Sequence, residues 1–231
     1  MTFTQQNSIV HSTVLDNGLT LLSTENTAAD IIACRIFIRA GSLWETPEKA
    51  GLANLLSAVI TKGTTELSSA EIAEKIESVG AGVSANAASD YFILGLKTIS
   101  SDFGEILALV GEMMRSPSFP EAEVELERTL TLQDIRSQQE QPFNVAFNQL
   151  REIMYGDHPY RLSTLGTLET VMALSREDLQ QFHSTYFRPD NIVISLSGRI
   201  SPDSAAIAVN QVFGDWKAPS TSLPSLKFPS L

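Results

Sequence analysis

Apolar and polar residues change period along this chain, and each change marks an element. Thr13 to Leu15 and Thr20 to Ser23 flank Asp16-Asn17-Gly18. Asn-Gly between two extended runs is the strongest short-range hairpin signal, so the chain opens with a β-hairpin. Ile31 to Ala40 is rich in β-branched and apolar residues and ends at Gly41, which predicts a mostly buried strand. From Ala50 to about Thr61 the period lengthens, with Leu52, Leu55, Leu56, Val59 and Ile60 recurring three and four apart. That spacing predicts a helix with a wide apolar face.

Ser68 and Glu71 have the spacing of a capping box, and Ile72, Ile76 and Val79 continue one apolar stripe until Gly80 stops it. Gly82 to Ser89 and Tyr91 to Thr98 then read as two short antiparallel strands. Asp102 to Arg115 is predicted helical. Pro117 and Pro120 break the chain before a helix from Glu121 to about Gln141, and Pro142 begins another that reaches about Tyr155. Ser175 and Asp178 mark the start of a helix ending near Tyr186, Asn191 to Ser197 is a strand, and Ser201 to Phe213 is a last amphipathic helix.

Hairpins separated by runs of helices predict an α+β class, a layered domain with a mostly antiparallel sheet and helices packed on one face. Residues 1–218 are expected to form one domain. Residues 219–231, with Pro219, Pro224 and Pro229 five apart, are expected to be a Pro/Ser-rich linker toward a second domain.

Composition narrows the function classes. With 27 acidic against 16 basic side chains, the net charge of −11 argues against a nucleic-acid partner and mildly favours basic peptides. Glu121, Glu123, Glu125 and Glu127 are explained by a helix start, where acidic side chains offset the dipole. No apolar run approaches a membrane span, and the first residues lack the basic character of a signal or transit peptide. A single cysteine, Cys34, rules out an intrachain disulfide. A cytoplasmic address is therefore expected.

Several motifs carry a resemblance. Arg39-Ala40-Gly41-Ser42, Glu45, Lys49-Ala50-Gly51-Leu52-Ala53 and Lys62-Gly63-Thr64 are followed in order by Pro117-Ser118-Phe119-Pro120 and Leu130 to Arg136. Tyr155-Gly156-Asp157-His158-Pro159-Tyr160, Leu165-Gly166-Thr167 and Tyr186-Phe187-Arg188-Pro189-Asp190-Asn191 complete the series. Together they resemble landmarks of the insulinase, or pitrilysin, metallopeptidases over about Val14 to Lys217.

In that family the Gly-Leu-Ala string leads into His-x-x-Glu-His. Two imidazoles on one helix face grip a zinc, and the glutamate takes a proton from its bound water. Here the resemblance puts Asn54, Ser57 and Ala58 at those positions. An amide, a hydroxyl and a methyl cannot hold zinc or act as a base near neutral pH. The third ligand, a glutamate on a later helix, falls at Gln133 or Asp134, and one sequence leaves that register open.

The resemblance thus implies a catalytically inactive homologue, without a metal of its own. It would act as partner of a zinc-bearing subunit, in a hetero- or homodimer that helps enclose extended peptides. The alternative is a structural, scaffolding subunit of a larger complex. A third reading, an unrelated enzyme using Cys34 or a zinc site of His11, His158 and His183, has little behind it. Nothing in their spacing brings the histidines together, and His158 is better read as fixing its turn.

Overall fold

A computed structural model describes residues 9–226. The expectations placed on the first eight residues, and on the tail beyond Leu226 including Pro229, lie outside them.

The elements in chain order are β1 (His11–Val14), β2 (Thr20–Glu25), β3 (Ile31–Ile38), α1 (Leu52–Val59), α2 (Ser69–Ser78), β4 (Gly82–Ala87) and β5 (Phe92–Ile99). There follow α3 (Phe103–Arg115), α4 (Glu121–Gln139), α5 (Pro142–Tyr155), α6 (Leu168–Ala173), α7 (Arg176–Tyr186), β6 (Ile192–Gly198) and α8 (Pro202–Phe213). The six strands form one sheet in the order β1-β2-β6-β3-β5-β4. Every pairing is antiparallel except that of β2 with β6.

Alternation decides which face of the sheet is covered. On β3, Ile32, Cys34, Ile36 and Ile38 are buried while Ile31, Ala33 and Arg35 are exposed. Register puts Ile36 beside Leu94 of β5 and Ile194 of β6, so the buried residues form one apolar layer. Leu55 and Leu56 of α1, Val110 of α3 and Val209 of α8 belong to the same core. Removing a large aliphatic side chain of this kind from water contributes roughly 1.5–3 kcal/mol, which is what fixes the helices to that face. The result is the layered α+β domain that the element order predicts.

Local chemistry sets the ends. Gly18 takes φ +91° in the first hairpin, which a glycine adopts freely. Ser68 and Glu71 form the predicted capping box at α2, and Ser175 with Asp178 forms one at α7. Helix α6 has no counterpart among the predicted elements; it has six residues and starts on a box of Thr167 and Thr170.

After α8 the chain runs without helix or strand to the end of the described residues. It is fastened nonetheless. The Arg188 guanidinium, pinned by Asp190, donates to the carbonyls of Pro219 and Thr221 at 3.0 and 2.7 Å. The Asn17 amide donates to those of Phe213 and Trp216.

Candidate functional site

Helix α1 is the element on which any chemistry of this resemblance depends, and its first turn is held from several directions. It has no side-chain N-cap of its own, because Gly51 stands there at φ +98°. Glu45 supplies the acceptor instead: one carboxylate oxygen takes the N–H of Gly51 at 2.9 Å and the other that of Ala53 at 2.6 Å. Free N–H groups and the positive end of the helix dipole both favour a carboxylate in this place. Burial nevertheless pushes the Glu45 carboxyl up to about 7, against the lowering pull of those two N–H groups.

Other landmark strings meet around the same helix. A Cβ on Gly51 would lie 2.6 Å from the Leu165 carbonyl oxygen, and one on Gly166 would lie 2.2 Å from that of Ala50. The Thr170 hydroxyl donates to Ala50 across this contact at 2.7 Å. Upstream, the N–H groups of Ser42 and Leu43 donate to Ala88 and Ser89, and Gly41 has no room for a side chain against the same carbonyls. Downstream, Ser118 donates to the Gly63 carbonyl, and Thr64 pairs with Pro117. Asn191 donates to the carbonyls of Arg39 and Tyr186. Strings far apart in sequence are therefore partners in space, and their joint effect is to position α1.

The positions meant for chemistry are different in kind. Ser57 is buried, and its hydroxyl donates to the Asn54 carbonyl of the preceding turn at 2.7 Å. Asn54 and Ala58 are half-buried on the same stripe. No imidazole or carboxylate occurs anywhere in α1. On α4, Thr131 and Ile135 are buried four residues apart, while Gln133 and Asp134 are both exposed. Gln133 lies about 200° round the helix from Thr131 and Asp134 about 60°, so Asp134 is nearer the packed face. A catalytic zinc of the kind the family uses needs three protein ligands from imidazole and carboxylate. The donors on this helix do not fit one. Among the described residues no three His, Cys, Asp or Glu side chains are grouped so as to hold a metal ion.

The remaining sequence candidates sit apart from α1's polar stripe. Cys34 is buried in β3, and burial pushes its thiol up to about 12, far from a nucleophile's range. His11 is exposed on β1. His158 is buried and accepts from the N–H of Tyr160, fixing its turn as expected. His183 on α7 lies 2.8 Å from the Met114 carbonyl, and burial lowers its pKa to about 4. Sequence reasoning missed Glu45's role. The only signal was its place in the landmark string, six and eight residues ahead of the N–H groups it caps.

Comparison with known proteins places this architecture. Residues 20–168 match the insulinase family, peptidase family M16, and residues 173–230 match the peptidase M16 inactive domain. An uncharacterised zinc protease of Bacillus subtilis, YmxG, is 30% identical over 202 residues, 87% of this chain and 49% of that protein. The human mitochondrial-processing peptidase subunit beta is 26% identical over 220 residues, 94% of this chain and 45% of its own length. Among solved structures, a protease from Helicobacter pylori superposes with a TM-score of 0.89 at 22% identity, covering 96% of this chain and 54% of that one. A peptidase M16 inactive domain from Pseudomonas fluorescens gives the same score at 23% identity, with the same coverage. The chain spans about half the length of these relatives. No helix among the described residues is long and apolar enough to cross a membrane. With the larger part of its sequence matched and its sheet and helices arranged alike, the chain belongs to the insulinase family, peptidase family M16.

Proposed function

We propose that this chain is a catalytically inactive member of the family, which binds no zinc itself and serves as partner to a zinc-bearing subunit. The observation that carries the reading is the contrast on α1. The strings that position the helix are engaged with one another, whereas its polar stripe holds Asn54, Ser57 and Ala58, with Gln133 and Asp134 exposed on α4. A metal needs lone pairs from charged or imidazole donors, and a proton-abstracting base needs a pKa near the working pH. Asn54, Ser57 and Ala58 offer neither.

In this reading the domain helps to enclose extended peptides. Strand β4 is the sheet's last strand and packs beside α1, so one of its edges keeps unpaired N–H and C=O groups that an extended chain can match. The net charge of −11 favours basic segments. Zinc is held by the partner alone, and the cytoplasm, which suits a lone buried thiol, is the proposed compartment.

The test is reconstitution. Mixed with a family subunit that carries an intact His-x-x-Glu-His, the chain is expected to raise cleavage of extended peptides above that of the subunit alone, while by itself it cleaves none. Stable association without any gain in cleavage would replace this reading by a scaffolding role.

A further inference from the structure

The turns that precede α1 and one side of α7 enclose a cavity of about 240 Å³, whose lining includes none of Asn54, Ser57 or Ala58. Trp44, Phe182 and Tyr186 are its aromatic walls, and Glu45, Lys49 and Asp178 are its charged groups. The Tyr186 ring lies 6.4 Å from that of Trp44 at 69° and 4.7 Å from that of Phe182 at 52°, so the rings stand as angled walls and not as a stack. Lys49 is matched by Asp178 at 2.6 Å, which leaves Glu45 as the charge in the cavity without a counter-ion among the described residues. Two groups here have unused capacity. Tyr186 is 8% exposed, and its hydroxyl makes no hydrogen bond among the described residues. A buried polar group without a partner is costly, so a ligand that supplies one gains by it. Each Glu45 oxygen accepts one backbone N–H, from Gly51 and from Ala53, and a carboxylate has about four acceptor sites, so capacity is left over.

We propose that this cavity binds a primary alkylammonium group, whose N–H bonds donate to the Glu45 carboxylate and the Tyr186 hydroxyl oxygen while its stem packs among the aromatic rings. Three aspects of the chemistry converge on such a ligand. Aromatic faces attract an ammonium through their quadrupole. An ionised Glu45 adds charge-assisted acceptors, which an anion could not use. The volume equals about eight waters at roughly 30 Å³ each, enough for the ammonium and a stem of a few carbons. The titratable groups that share the cavity with Glu45 are Lys49, Asp178 and Tyr186, and the first two neutralise each other. The ligand therefore competes mainly with a proton on Glu45, which burial retains up to about 7. An ammonium beside the carboxyl favours its ionised form, so binding strengthens as the pH rises through that value and releases a proton. A lysine side chain of a basic peptide and a free small amine both present this head.

Calorimetric titration of the 231-residue chain with butylammonium tests this. Saturable binding at one site is expected, with a dissociation constant in the millimolar range that falls between about pH 6 and about pH 8. Glu45→Gln is expected to weaken it roughly tenfold at the higher pH and to abolish the pH dependence. Tyr186→Phe is expected to weaken it roughly fivefold while leaving the unfolding midpoint unchanged, because the hydroxyl bonds to nothing in the fold. Tetramethylammonium, which has the charge but no N–H, is expected to bind more weakly than butylammonium. An N-acetyl-lysine amide that binds as butylammonium does assigns the site to a peptide side chain, and binding of the free amine alone assigns it to a small metabolite. Absence of saturable heat from butylammonium overturns the proposal. So does an affinity untouched by Tyr186→Phe and by pH, or equal binding of tetramethylammonium.

Discussion

Glu45 and His183 are ionisable groups whose burial changes how the domain responds to pH. Glu45 spans two backbone N–H groups at the start of α1, and replacing it with Ala leaves both without their acceptor. The expected loss is about 1–3 kcal/mol in urea unfolding near pH 4.5, and smaller above pH 7. Its carboxyl is raised from 4.5 to about 7, so its contribution is fully present below about 4.5 and fades as the pH rises through about 7. His183 has the opposite sign. Its pKa is lowered from 6.5 to about 4, so the stability it contributes is present above 6.5 and is lost as the pH falls toward 4. His183→Gln keeps a donor for the Met114 carbonyl and removes the titration. Between pH 6.5 and about 4 its unfolding midpoint is expected to fall less than that of the wild type. Parallel curves would show that other groups dominate the acid limb.

Elements whose signals are local were legible from the sequence. The Asn17-Gly18 hairpin, the Ser68–Glu71 capping box and the alternation along β3 each need only a few neighbouring residues, and each stands where it was expected. Boundaries moved inward: β3 ends at Ile38 and α1 runs Leu52–Val59, because the residues beyond turn to make the latches around Gly41 and Gly51. The position of β6 between β2 and β3, parallel to β2, was not legible. It depends on pairing between segments far apart in the chain, which no local period encodes. Helix α6 was missed because six residues carry too little periodicity. The latches themselves give a prediction. Gly51→Ala forces a Cβ to 2.6 Å from the Leu165 carbonyl at φ +98°, and is expected to cost on the order of 2 kcal/mol or more in thermal or urea unfolding. A neutral effect would show that α1 is positioned by its apolar face alone.

At the scale of the whole molecule, the domain has the family's architecture. The candidate positions 54, 57 and 58 come from the order of the landmark strings alone, and the structure puts them on one helix, α1. What those strings do was not legible, because their partners lie on other elements: Ala50 on Thr170, Gly63 on Ser118, Arg39 on Asn191. Nor does periodicity reveal that α5 buries no residue, since an amphipathic stripe reads alike whether or not it is covered. The account rests on α1 offering no ligand for a metal. Elemental analysis of the purified chain, after incubation with zinc and removal of excess, tests that most directly. The expected result is no stoichiometric zinc and no peptide cleavage. One tightly bound zinc per chain, whose removal by a chelator abolishes a peptidase activity of the chain alone, would contradict it.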